Sequence, residues 1–117
     1  MAQQYILLFA DEREESEYPD EEMQAWGAYF EAMGAAGILR GGEQLFPSFN
    51  ATTVRIRDGV RQVQDGPFAD TREKLGGFGI IEVEDLDTAL DWAAKCPCAL
   101  DGSVEVRPIV VMEDPSA

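Results

Sequence analysis

"ATTVRIRDGVRQVQDGPFADTREKLGGFGIIEVE", residues 51–84, holds three stretches of strand character separated by two different turns. In the first stretch Val54 and Ile56 alternate with Thr53, Arg55 and Arg57, the period of two that gives a strand two unlike faces. Asp58 and Gly59 then join it to "VRQVQ"; two β-prone runs linked by Asp-Gly read as a β-hairpin. The second turn, "DGPF" at 65–68, carries more chemistry than a chain reversal needs. Beyond it "GGFGIIEVE" resumes as a strand. Its glycines lack the full G-x-G-x-x-G spacing and the helix that must follow, so a dinucleotide-binding reading is rejected.

Upstream, "QQYILLFA" (residues 3–10) is too short and too apolar for a surface helix and reads as the first strand. Both of its faces are apolar, Ile6 and Leu8 on one and Tyr5, Leu7 and Phe9 on the other. Asp20 is placed to cap a helix whose Met23, Trp26, Phe30 and Met33 recur at helical spacing, and Gly34 and Gly37 mark its end. That stripe reads as core. "ILRGGEQLFPSFN" (38–50) is an irregular connection with some strand character, broken by Gly41, Gly42 and Pro47. Downstream, Asp85 or Asp87 caps a second helix to about Lys95, with Leu86, Ala89, Leu90 and Ala93 on one face and Pro97 as its stop. "SVEVRPIVV" is the last strand, and residues 112–117 form a polar tail.

Strand, helix, hairpin, strand, helix, strand in one chain of 117 residues predicts a single α+β domain: a ferredoxin-like, mainly antiparallel sheet with two helices on one face. The second sheet face is then left open, with Glu105 and Arg107 opposite Val104 and Val106 in the last strand. A face partly apolar and partly charged suits packing against a second copy, so a homodimer is expected.

Composition narrows the function classes. Nine basic against twenty-three acidic residues give a net charge of −14, a field that repels phosphate backbones and anionic lipid and argues against direct nucleic-acid or membrane binding. Eight of the acids lie in "DEREESEYPDEE" (11–22) beside a single arginine; such a block reads as a solvated loop and helix start. No metal site is expected there, since the spacing is not that of an EF-hand. The N-terminus has no basic flank ahead of its short apolar run and does not read as a signal peptide. Cys96 and Cys98, separated by Pro97, match no zinc-module spacing and rarely close an unstrained disulfide; they read as reduced thiols of a cytoplasmic protein. Histidine is absent, which removes the commonest general base and a common metal ligand. No cofactor is implied.

The "DGPF" turn has a structural explanation first. Asp65 suits backbone hydrogen bonding, Gly66 accepts dihedrals closed to other residues, Pro67 stops further strand pairing, and Phe68 reaches the core. A functional reading adds a site. Asp65 at a strand end, with Arg72, Glu73 and Lys74 close in sequence and Arg55 and Arg107 on the sheet face, offers carboxylate and guanidinium groups to a small polar or anionic molecule. A buried Asp65 would then be the candidate catalytic acid or base. The competing class is an acidic interaction module that docks on a basic protein surface.

Taken in order, "ATTVRIRDG", "DGPFADTREKLGGF", "DLDTALDWAAKCP" and "GSVEVRP" resemble the DGPF-type branch of the YCII-related family over about residues 4–109. The resemblance implies a dimeric ferredoxin-like α+β barrel. It also implies two functional suggestions, a His and Asp pair facing a cleft and an association with sigma-factor-linked transcription control. This chain supplies no histidine for the first. Asp70, Thr71, Arg72 and Glu73 stand where the family's acid, Thr, Lys and Glu are expected, so the loop keeps its charge pattern but not its lysine.

Overall fold

Nine residues of the first strand, β1 (Gln3–Asp11), lie at the centre of the sheet, with another strand paired along each edge. The computed structural model describes residues 2–13, 18–67 and 71–111. Helix α1 (Asp20–Ala35) follows, then strand β2 (Leu39–Gln44), a 3₁₀ turn (Ser48–Asn50), strands β3 (Thr52–Arg57), β4 (Val60–Asp65) and β5 (Lys74–Val83), helices α2 (Leu86–Ala94) and α3 (Cys98–Asp101), and strand β6 (Ser103–Pro108). The main sheet runs β2-β5-β1-β6, every pairing antiparallel. With the hairpin left out this is the ferredoxin-like order, as the element sequence predicts, and the sheet does not close into a barrel.

The hairpin itself stands apart. β3 and β4 pair only with each other, Thr52 opposite Asp65 through to Arg57 opposite Val60, around a turn with both Asp58 (φ 52°) and Gly59 (φ 76°) left-handed. The strand that borders β5 is instead β2, in the segment read as an irregular connection. Gly41 and Gly42 hid it: glycine is disfavoured in strands, yet here a Cβ on Gly42 would lie 2.7 Å from the Phe78 carbonyl oxygen, so the close approach requires glycine.

Odd-numbered β1 residues Tyr5, Leu7 and Phe9 are buried beneath both main helices, with Tyr29 and Met33 of α1, Ala89 and Ala93 of α2 and Ile81 and Val83 of β5. Full burial of side chains such as Leu7, Met33 and Ile81 contributes about 2 kcal/mol each. Even-numbered Ile6 and Leu8 lie on the open face, only half-buried, opposite Ile80 and Phe78 of β5 and beside Arg107 and Glu105 of β6.

Helix ends follow local chemistry, with one departure from expectation. At α1 the capping position falls on Pro19, and Asp20, Glu21 and Glu22 occupy the first turn instead, where the positive end of the helix dipole favours them. Gly37 (φ 75°) closes the other end, with Ile38 N–H donating to Met33 O at 3.2 Å and Gly37 N–H to Gly34 O at 3.0 Å, a Schellman arrangement. Asp85 caps α2, accepting from Thr88 N–H at 2.9 Å. That helix meets the sheet through its alanines, while Leu86 and Leu90 remain nearly half exposed. α2 ends at Ala94, ahead of Pro97 as expected, and Pro97, in helical conformation (φ −54°, ψ −37°), then precedes the short α3.

One irregularity interrupts the central ladder. Phe9 faces Gly77 and the next residue, Ala10, faces Leu75, so Gly76 is an extra residue on β5 and Asp11 comes opposite Lys74.

Candidate functional site

Where β1 ends, α1 and the sheet part enough to leave a cavity of about 280 Å³. Three aromatic rings supply its walls. Phe9 comes up from β1, and Trp26 and Phe30 come down from α1, one helical turn apart. Phe9 meets Trp26 edge-on at 4.9 Å between centroids and Phe30 at 6.0 Å, while Trp26 and Phe30 stack at an angle of 25°. Gly77 forms part of the floor. A Cβ there would come within 2.9 Å of the Glu43 carbonyl oxygen, so the strand pair closes tightly only around a glycine. Glu43, Gln44, Leu45 and Pro47, from the end of β2 and the chain after it, line the remaining side.

The polar end of the cavity is built on Asp11. As the next odd residue of β1 after Phe9, it points to the same inner face and is only 4% exposed. Arg13 compensates it: the guanidinium Nη2 lies 3.1 Å from Asp11 Oδ2, and the Arg13 backbone N–H donates to Oδ1 at 2.9 Å. The same guanidinium donates to both carboxylate oxygens of Glu22, at 3.0 and 2.8 Å, and reaches Asp101 at 3.5 Å. It also lies over the Tyr18 ring, 4.8 Å from the centroid.

Burial alone would push the Asp11 carboxyl up. The hydrogen bonds and charge of Arg13, with a hydrogen bond from Tyr18, outweigh it and hold the group below the ordinary aspartate value. Asp11 is therefore ionised at neutral pH and committed to its partner, a binding or orienting group rather than a proton shuttle. Arg13 is shared among three carboxylates, which leaves this end of the cavity net negative. Tyr18 is raised by burial first and by the Asp11 charge second, and stays a neutral hydroxyl.

The residues singled out from the sequence fall into separate places. Asp65 ends β4 with its side chain exposed. The turn after it is fastened by the Gly66 N–H, which donates to Ala51 O at 2.7 Å, and by Thr53 Oγ1, which donates to Gly66 O at 2.8 Å; Gly66 itself adopts φ 100°. Half-buried Pro67 follows, and Phe68, the predicted core plug, lies outside the described residues, as do Asp70 and the tail 112–117. Arg55 is half-buried on β3. Arg72, Glu73 and Lys74 do gather, at the same end of the sheet as Asp11: Arg72 pairs with Glu12, Glu73 accepts from Ser103 Oγ at 2.7 Å, and the Lys74 ammonium donates to Thr71 O. Arg107, paired with Glu105, sits four residues further along β6, on the edge strand away from β2. Neither the aromatic cavity nor the shallower hollow between α1 and α2 is lined by Asp65, Arg55 or Arg107.

Sequence reasoning passed over Asp11, Arg13, Trp26 and Phe9 as site residues. Two signals pointed to them: the parity of β1, which turns Asp11 to the same side as Leu7 and Phe9, and a lone arginine inside a block of eight acids.

Among the described residues no helix is long and apolar enough to cross a membrane, and no three metal-ligating side chains converge. The chain is 38% identical over 112 residues to an uncharacterized protein of Rhizobium meliloti (strain 1021), a match that covers 91% of this chain and 90% of that protein. The sequence profile of the YCII-related domain matches residues 4–113. With a profile match over nearly its whole length and a relative this similar, the chain belongs to the YCII-related family.

Proposed function

We propose that this protein binds a small molecule in the cavity between α1 and the end of the sheet. The observation that carries the reading is the cavity itself, about 280 Å³ enclosed by Phe9, Trp26 and Phe30 with a buried ionised aspartate at one end. Its volume lies near the small end of the range for ligand pockets, about 300–1,000 Å³, and a mostly apolar lining with a few fixed polar groups is their usual character. Ring walls favour a ligand with a planar apolar body. Arg13 is already engaged by Asp11, Glu22 and Asp101, and Glu43 adds another acid, so the charge favours a neutral or cationic ligand over an anion.

In this reading the DGPF turn acts on the site through the backbone. Gly66 holds Ala51, which lies four residues after Pro47, one of the residues that line the cavity on that side. A role for Asp65 in contact with ligand, together with Arg55 and Arg107, requires a second copy, because on one chain the first two lie on the hairpin and the third on the far edge strand. The half-buried open face of Ile6, Leu8, Phe78 and Ile80 supports such a homodimer.

The test is a thermal-shift screen of small neutral and cationic aromatic molecules against the protein and against Gly27→Leu. Gly27 lines the cavity, and a Cβ there meets no atom within 4 Å, so leucine at this position fills the cavity without a clash at its base. Compounds that raise the melting temperature of the parent and not of the variant support the reading. No stabilising compound, or equal shifts in both proteins, would overturn it. Sedimentation equilibrium reads the dimer separately.

A second reading, an acidic docking module in transcription control, draws on the net charge of −14 and on a hairpin whose Val54, Ile56 and Val63 are all more than half exposed. Its signature is capture of a basic partner that falls steeply as salt rises.

A further inference from the structure

Cys96 and Cys98 are both about 1% exposed, and their sulfur atoms lie 3.5 Å apart in a shared hydrogen bond. The helical backbone of Pro97 brings them together. Two residues that flank one helical residue have Cα atoms about 5.5 Å apart, which is also the commonest Cα separation across a disulfide. The spacing that looks unfavourable in an extended chain is thus made workable by the turn between α2 and α3.

The two thiols face different spaces. Cys98 lines the aromatic cavity, and Cys96 lines the shallower hollow with Tyr29, Trp92 and Pro97. Each cysteine thus borders a space that can hold a molecule the size of hydrogen peroxide.

We propose that Cys96 and Cys98 form a dithiol redox site that a hydroperoxide converts reversibly to an intrachain disulfide. The Cys96 thiol releases its proton and the thiolate attacks one oxygen of hydrogen peroxide, forming an S–O bond as the O–O bond breaks, and the departing hydroxide takes up the released proton as water. Cys98 sulfur then attacks the sulfenic sulfur of Cys96, forming the S–S bond and expelling a second water with its own proton. Two electrons pass from the dithiol to the peroxide. Cys96 is assigned as the attacking residue because the hydrogen bond it shares with Cys98, aided by the Cys98 and Ala99 backbone N–H groups, holds it below the ordinary cysteine value against burial. Cys98 is pushed the other way by that hydrogen bond and by burial, and serves as the resolving thiol. A disulfide also draws the Cys98 sulfur from the Ser103 carbonyl oxygen it now approaches at 3.5 Å, so oxidation alters the joint between α3 and β6.

The test is peroxide treatment of the folded protein, followed by alkylation in denaturant and intact-mass measurement. Loss of both alkylation sites, a single-chain mass lighter by two hydrogens and full recovery with dithiothreitol are expected. Thiols that persist at peroxide levels that oxidise free cysteine, a mass gain of oxygen atoms, or disulfides that join two chains would overturn the proposal. Trapping with dimedone needs only the single variants: Cys98→Ser labels at Cys96 and Cys96→Ser remains unlabelled, whereas the reverse pattern overturns the assignment of roles.

Discussion

Arg13 Nη2 stands 3.1 Å from Asp11 Oδ2, and because the arginine follows two residues after the acid, its backbone N–H reaches the other carboxylate oxygen. A single residue thereby satisfies both oxygens of a buried charge and fastens the end of β1 to α1 through Glu22. Arg13→Met strands the Asp11 carboxylate. A loss of about 2 kcal/mol is expected in urea unfolding, since the pair is only partly shielded by burial. Asp11→Asn in the same chain removes the stranded charge, and the double variant recovers part of the loss.

Acid stability follows from the same pair. Asp11 and the helix cap Asp85 both titrate below the ordinary aspartate value, Asp11 through Arg13 outweighing burial and Asp85 through its hydrogen bonds from Thr88. A carboxyl whose folded pKa is depressed contributes stability that is complete above its unfolded pKa and is lost as pH falls through the folded one. The unfolding free energy is therefore level in these two groups through the neutral range and declines below about pH 4, the ordinary aspartate region. In Asp11→Asn that acid limb is shallower, read from urea midpoints measured between neutral pH and the acid end of the folded range.

Tyr29 ties the two main helices together, its hydroxyl donating to Trp92 O at 2.8 Å from a buried position. Tyr29→Phe keeps the ring and removes the donor. The expected cost is about 1 kcal/mol, seen as a lower urea midpoint with an unchanged slope.

Gly102 allows β6 to lie against the end of β1. A Cβ at that position would fall 2.1 Å from the Ala10 carbonyl oxygen, which is backbone on the central strand. Gly102→Ala forces the strands apart and is expected to destabilise by about 3 kcal/mol. Gly27→Ala is the contrast, an exposed helix position with open space around its Cβ, where a gain of up to about 1 kcal/mol is expected from helix propensity.

The parts of the fold written in side-chain period were legible. β1 announced two apolar faces, β6 announced Val104 and Val106 against Glu105 and Arg107, and Asp85 announced a helix start, because each depends on neighbours one to four residues away. β2 was not legible, since Gly42 is required by the closeness of Phe78 and Phe30, which lie far along the chain or across the layer. The hairpin was legible as a hairpin, yet its separation from the main sheet depends on which strand reaches β5 first. Of the residues named with Asp65, Arg72, Glu73 and Lys74 lie at the end of the sheet near Asp11 and line neither cavity. Asp11 and Arg13 were read as part of a solvated block, since composition counts charges and does not record which one a strand turns inward.

Gly76 gives the cavity its chemistry from a distance. Were Gly76 paired with Ala10 instead of bulging out of the ladder, the pairing would run on unbroken, and Leu75 instead of Lys74 would stand opposite Asp11. A glycine left unpaired thus keeps a cation, not a hydrocarbon, across the ladder from the buried acid. Deleting Gly76 would straighten the ladder and keep Lys74 opposite Asp11; only pairing it with Ala10 would exchange that cation for an oily neighbour.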